Sequence, residues 1–429
     1  MEYDYSLAYA QELDSNDELR FFREKFLFPQ VNGSPALYFC GNSLGLQPKT
    51  TRDYIDRILN DWSEHAVEGH FKIDDPWLTY HEKLKQAMAA IVGAQIDEVT
   101  VMNSLTVNLH LMMVSFYRPT KERFKIICEE GAFPSDQYAF ETQVLSHGLS
   151  PDTCIIELKP REGEYTLRTE DILDTIARHG KETALVLLGG LNYYTGQVYD
   201  MKSITEAGHK AGAFVGFDLA HAVGNINLQL HDWNADFAVW CTYKYLNSGP
   251  GGVAGMFVNR RFAERYDIPR FAGWFGNDVK TRFKMQKGFK PAYGADGWKL
   301  SNSPILLMAA LRSSLAIFEE AGMERIGRKR NLLTSYLEYI IHTINKHCGR
   351  DEITIITPSA PEQRGSQLSL LLNTHGKSLF NYLIEEGIIV DWREPNVIRV
   401  SPVPLYNSFE DVLILGQKLE TFLKKHRDA

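Results

Sequence analysis

Cys241-Thr242-Tyr243-Lys244-Tyr245-Leu246-Asn247-Ser248-Gly249-Pro250-Gly251-Gly252 follows the apolar run Phe237-Ala238-Val239-Trp240, so a strand ends in a lysine and passes into a glycine-rich turn. A lysine there is costly unless its amine is used, because burying a cation without a partner is strongly unfavourable. Partly desolvated, the amine becomes a nucleophile able to form a Schiff base with a carbonyl compound. A surface lysine on a loop is the ordinary alternative, and the neighbouring segments decide between the two.

Twenty-six residues upstream, Gly216-Phe217-Asp218-Leu219-Ala220-His221 closes the preceding apolar run with an acid and, three positions later, an imidazole. Taken alone, Asp218 is a helix N-cap. Beside Lys244 it acquires a second reading, since a carboxylate below a pyridine aldehyde keeps the ring nitrogen protonated and makes the ring an electron sink.

Farther out, the runs Phe124 to Cys128, Ala184 to Leu188 and Ala213 to Phe217 alternate with helix-like stretches Thr169 to Arg178 and Met201 to Ala211. That alternation predicts an α/β fold with a mostly parallel central sheet, whose ligands bind at the carboxyl ends of its strands. Two further segments then fall at the same edge. Val99 to Asn108 reads as a strand entering a helix through Asn103, Ser104 and Thr106, where free N–H groups hold either a phosphate or only a cap. Gly131-Ala132-Phe133-Pro134-Ser135-Asp136 follows another strand and brings an aromatic ring that either stacks on a cofactor or sits in the core.

After Ser303-Pro304 the pattern changes to two long amphipathic helices, the first with Leu307, Leu311, Leu315 and Phe318 on one face and Gly322 as its stop. The second carries Leu333, Leu337, Ile340, Ile341 and Ile344. Strand-like Ile388-Ile389-Val390 and Val397 to Val400 follow, then a helix opened by Ser408 with Asp411 three residues on. Three units are expected: an N-terminal segment 1–50 lying on the last unit and the ligand cleft, a large ligand-binding domain 51–304, and a smaller α+β domain 305–429.

Composition limits the partners. Among 429 residues, 44% are hydrophobic, and 46 Lys plus Arg stand against 54 Asp plus Glu for a net charge of −8. A large core is available, and the balance argues against nucleic acid or an anionic membrane. The first residues lack a secretory pattern and no apolar run nears the ~20 residues of a membrane span, so a cytoplasmic location is expected. Five scattered cysteines without a Cys-x-x-Cys pair indicate neither a disulfide framework nor a metal site.

The sequence resembles the kynureninases, pyridoxal-phosphate enzymes of the aminotransferase class V group within fold type I. The likeness spans nearly the whole chain, through Tyr38 to Pro48, Gly216 to Asn225, Lys244 to Gly252 and Ile398 to Asn407. Gly273-Trp274-Phe275-Gly276 and Ser301-Asn302-Ser303-Pro304 single out the family from its class. The resemblance implies pyridoxal 5′-phosphate as cofactor, with Lys244 carrying the internal aldimine, Asp218 at the pyridinium and Phe133 stacked on the ring. It places Leu105 and Thr106 at the phosphate, Pro134, Ser135, Asp136 and His221 around the ring, and Tyr243 at the phosphate as a proton relay. Trp274 and Asn302 are implied to come from the second subunit of a homodimer. Arg399 is implied to hold the substrate carboxylate, with Ser43, His70 and Asn302 also at the substrate. Gly189 departs from the pattern, because relatives can carry a hydroxyl there, and one fewer polar contact is expected.

The implied reaction is hydrolysis of L-kynurenine or 3-hydroxy-L-kynurenine to L-alanine and the corresponding anthranilate, within tryptophan degradation and NAD supply, without a metal. His70 and Asn302 favour the hydroxylated substrate. The alternative is a class V aminotransferase or a cysteine desulfurase; for the latter Cys348, expected in a loop, is the candidate thiol.

Overall fold

The computed structural model describes residues 3–426; Met1, Glu2 and residues 427–429, at the ends of the first and last expected units, lie outside it. A seven-stranded sheet organises the larger part, in the order Val99–Val101, Gly255–Val258, Phe237–Trp240, Phe214–Asp218, Thr183–Gly189, Lys125–Glu129, Ile155–Leu158. Only Gly255–Val258 runs against its neighbours; the other strands point one way. The expected mostly parallel sheet is thus present. Its inner strands are apolar runs because helices cover both faces: Thr183 to Leu188 and Phe237 to Trp240 are buried throughout.

The parallel direction carries the argument toward function. Lys125–Glu129, Thr183–Gly189 and Phe214–Asp218 finish at one edge, with Gly189 paired to Asp218 across the ladder. The strand expected to end in Lys244 ends at Trp240, four residues short of the lysine, which stands in the turn that follows.

A second, antiparallel sheet runs Ile353–Ile355, Leu368–Leu372, Val397–Val400, Asp391–Arg393. Helices Met323–Cys348 and Phe409–Lys425 share an apolar core with it, to which Leu333, Leu337, Ile340, Ile341 and Ile344 all contribute. Two details differ from the sequence expectation. Leu307 is 37% exposed, and the buried face of helix Ile305–Ala321 begins instead at Met308 and continues through Leu311, Leu315 and Phe318. The single strand expected at 388–390 is two: Ile388–Ile389 pairs with Leu37–Tyr38, while Asp391–Arg393 joins the antiparallel sheet.

The N-terminal segment is fixed to this second core. Phe39 is buried in it, and helix Leu7–Ser15 lies along Phe409–Lys425. The start of that last helix is closed twice. Ser408 and Asp411 form the expected capping box, and the Asp14 carboxylate accepts the N–H groups of Phe409 (2.7 Å) and Glu410 (3.0 Å).

Candidate active site

At the carboxyl edge of the parallel strands lies a cleft of about 550 Å³, partly open to solvent. Lys244 enters it with Nζ 2.8 Å from His221 Nε2 and 5.9 Å from the centre of the Phe133 ring. Phe133 is 44% exposed, which removes the core alternative for that ring. Burial, reinforced by the Lys244 charge, drives the His221 pKa well down, so the imidazole is neutral at pH 7. Its Nδ1 is buried without a hydrogen-bond partner among the described residues.

Three carboxyl groups form the floor. Asp218 ends its strand and accepts the Ala220 N–H (2.8 Å). Asp136 stands beside it; burial and the Asp218 charge push its pKa well up, so Asp136 carries a proton and shares it with Asp218. Glu129 is the third, pushed up to about 7 mainly by burial. Both Glu129 oxygens accept the Gly189 N–H, at 3.0 and 3.1 Å, and a Cβ at position 189 would come within 2.9 Å of one of them. Gly189 thus makes a polar contact through its backbone N–H, separate from the side-chain hydroxyl contact that the sequence reading expects to be missing.

Helix Leu105–Phe116 aims its first turn at the cleft, which Leu105 and Thr106 line. Ser104 is extended and its side chain makes no capping bond, leaving N–H groups of that turn open to an anion. Pro134 opens helix Pro134–Ser146 as its first residue, presenting Ser135 and Asp136 to the cleft. Tyr243 completes the wall with a phenol that burial keeps protonated.

The N-terminal segment reaches the site through a close backbone approach. Gly45 N–H donates to the Tyr243 carbonyl (2.8 Å), and a Cβ on Gly45 would fall 2.3 Å from the Lys244 carbonyl oxygen. Glycine alone lets Ser43 and its neighbours lie against the lysine turn. Ser43 is then 3.3 Å from Arg399 Nη2. Arg399 is completely buried, not a surface ion pair: Nη2 donates to Asp391 Oδ2 (2.6 Å), Nε to Asp391 Oδ1 (3.2 Å) and Nη1 to the Tyr193 carbonyl (2.7 Å). Tyr193 lines the cleft, edge-on to Phe133 with ring centres 5.4 Å apart.

His70, Trp274 and Asn302 do not line this chain's own cleft. His70 sits edge-on to Trp77, Trp274 Nε1 donates to the Arg282 carbonyl (3.3 Å), and Asn302 is exposed. The sequence reading missed Glu129, Tyr193 and Asp391. Glu129 had a usable signal, an acid at the end of an apolar strand like Asp218; Asp391 was hidden by the reading of 388–390 as one strand.

The fold has solved counterparts. A cysteine desulfurase from Thermococcus onnurineus superposes with a TM-score of 0.73 at 18% identity, covering 91% of this chain and 95% of that one. The cystine C-S lyase C-DES, bound to its product cysteine persulfide, gives 0.76 at 18% identity, covering 91% and 99%. A C-DES variant with glycine covalently linked to its PLP cofactor also gives 0.76, at 16% identity over 90% and 96%. The architecture is that of the fold type I, class V pyridoxal-phosphate enzymes.

Sequence relatives narrow the class. Proteins named kynureninase from Flavobacterium psychrophilum and Flavobacterium johnsoniae are 57% and 56% identical, covering 97% and 98% of this chain and 97% and 99% of theirs. One from Myxococcus xanthus is 53% identical over 97% of each. A family profile described as the kynureninase C-terminal domain matches residues 328–419. The chain belongs to the kynureninase family.

Proposed function

We propose that this chain holds pyridoxal 5′-phosphate in the cleft around Lys244 and hydrolyses L-kynurenine or 3-hydroxy-L-kynurenine to L-alanine and anthranilate or 3-hydroxyanthranilate. The step belongs to tryptophan degradation, in the cytoplasm, and supplies NAD precursors. One observation carries the reading: Lys244 and the Asp136 and Asp218 carboxyls line one cleft, and Arg399 stands behind its wall, bonded to the carbonyl of the cleft residue Tyr193, in a chain that is 57% identical to a kynureninase.

The residues fit the cofactor. An amine shares the cleft with a proton-sharing acid pair, an aromatic ring is exposed beside it, the helix start at Leu105 and Thr106 is open to a phosphate, and His221 Nδ1 lacks a partner among the described residues. When bound, pyridoxal phosphate supplies a sink for the electrons of a breaking bond at the substrate's carbons. Lys244 Nζ would hold the aldehyde end of the cofactor and, as a free amine, would take the proton from the substrate's α-carbon. Asp218 holds the proton on the ring nitrogen. Phe133 would stack against the cofactor, and Pro134, Ser135, Asp136 and His221 would help hold it. Leu105 and Thr106 hold the phosphate, and Tyr243 donates to it and relays protons. Arg399, with Ser43, takes the substrate carboxylate, a planar donor on a planar acceptor.

His70 and Asn302 serve the aromatic end of the substrate, and Trp274 and Asn302 act in the cleft of a second copy. An exposed apolar surface supports that homodimer: Phe71, next to His70, lies 6.3 Å from Phe283, which is edge-on to Trp274. Phe71, Val279, Phe283 and Met285 are all more than half exposed, as side chains covered by a second copy are in one chain alone.

The desulfurase alternative needs a mobile thiol. Cys348 is buried at the end of helix Met323–Cys348, not in a loop, and so is poorly placed to reach a substrate. A product assay separates the readings: purified protein with the cofactor should release alanine and an anthranilate from the kynurenines and no sulfide from cysteine. Sulfide without anthranilate would overturn the assignment.

A further inference from the structure

Among the described residues, Asp391 is the one carboxylate bonded to the arginine proposed for the substrate, and its position follows from strand register. Asp391 and Arg399 are directly opposed across the antiparallel pair Asp391–Arg393 and Val397–Val400, so their side chains leave the same face of the sheet. There the carboxylate meets the guanidinium side by side, Oδ1 to Nε and Oδ2 to Nη2. Two more donors converge on it, the Ser43 hydroxyl and Arg393, whose Nη2 donates to Oδ2 at 3.3 Å.

A guanidinium has two edges that can grip a carboxylate with parallel bonds, Nε with Nη2 and Nη1 with Nη2. Asp391 occupies the first. The second is flanked by the Tyr193 carbonyl, which takes one Nη1 hydrogen, and by the Ser43 hydroxyl. Four of the five hydrogens are donated, Nε–H and one Nη2–H to Asp391, one Nη1–H to the Tyr193 carbonyl and the second Nη2–H to the Ser43 hydroxyl at 3.3 Å, so an incoming anion takes the remaining Nη1 hydrogen and displaces the long Ser43 bond. The Arg399 side chain is 1% exposed, so without a fixed counter-charge it would be an uncompensated buried cation, free to turn either edge toward a ligand.

We propose that Asp391 is a positioning residue for the substrate's α-carboxylate: by taking the Nε and Nη2 edge of Arg399, it reserves the Nη1 and Nη2 edge for that carboxylate. Asp391 does not touch the reacting atoms. Its effect lies in recognition, and it makes the cleft selective for a free carboxylate over an uncharged amide at the same position. This rests on the proposed role of Arg399.

The test compares L-kynurenine with its α-carboxamide in the cofactor-loaded parent and in Asp391→Asn, Asp391→Glu and Arg399→Gln. In Asp391→Asn the KM for kynurenine should rise by about tenfold or more, the loss of one charged hydrogen-bonding partner, with kcat affected far less. The KM for the carboxamide should stay near its parental value, narrowing the preference between the two. Asp391→Glu, which keeps the charge but displaces it by a methylene, should narrow it less, and it carries the comparison if the asparagine variant does not fold. Equal changes for both substrates, or none, while Arg399→Gln abolishes the preference, would overturn the role of Asp391 and leave that of Arg399 standing. A preference that survives Arg399→Gln would refute the carboxylate role of Arg399, and the Asp391 inference with it.

Discussion

Glu129 shows what a single side chain on the floor of the cleft does to the pH response. It is buried, and its pKa rises from 4.5 to about 7, chiefly through desolvation, against the lowering effect of the Gly189 N–H. Folded protein therefore keeps this proton over a range in which the unfolded chain has lost it. Stability from this group is full below the unfolded value and falls as pH rises toward about 7, by roughly 1.4 kcal/mol per unit between the two values. Glu129→Gln keeps an acceptor for the Gly189 N–H but cannot ionise. Urea midpoints of the cofactor-free protein at pH 5 and pH 7.5 should differ less in this variant than in the parent. An unchanged difference would assign the slope to other groups, with Asp136 and Asp218 next in line. How much of the floor was legible follows from the same residues. Asp218 stood out because His221 and Lys244 framed it, whereas Glu129 showed only as the polar stop of a strand, since nothing in a linear string marks which strand ends converge.

Among elements, the strands and helices that bear the site were legible because their apolar periods are long and unbroken, as in Thr183–Gly189 and Met201–Ala211. What was hidden depended on distant partners. The break at Val390 exists because Ile388–Ile389 finds Leu37–Tyr38, a pairing that no local pattern announces. Leu307 satisfied the helical period from one side as well as Met308 did, and only the neighbouring helices chose between them. The cap that Asp14 places on helix Phe409–Lys425 is of the same kind. Removing it in Asp14→Ala should cost about 1 kcal/mol, the usual value of a lost N-terminal acceptor, read as a lowered urea midpoint. Since the cap is far from the cleft in function, kcat and KM should hold at temperatures where both proteins are folded. A parallel loss of activity would tie that helix to the site.

For the whole molecule, the decisive arrangement is that the exposed apolar surface around Phe71, Trp274 and Phe283 stands apart from the chain's own cleft. If two copies meet there, Lys244→Ala and Asn302→Ala damage different halves of each composite site. Mixed after separate purification, the two inactive proteins should regain up to about a quarter of parental activity as hybrids with one intact site form by random exchange. Activity that stays at the level of the separate variants, with exchange demonstrated by mass, would place Asn302 within its own chain's site or outside any.

The bond between Ser43 and Arg399 joins residues 356 positions apart, and Phe409 must arrive before Asp14 has anything to cap. A chain made from its amino end at about 5–20 residues per second therefore carries Ser43 for roughly 20–70 s before its partner exists. The parallel strands and Lys244 are complete while the carboxylate pocket is still missing. A nascent chain halted near residue 390 would thus hold the lysine cleft without the arginine proposed to choose its substrate, so on that proposal selectivity is the last property acquired in the order of synthesis.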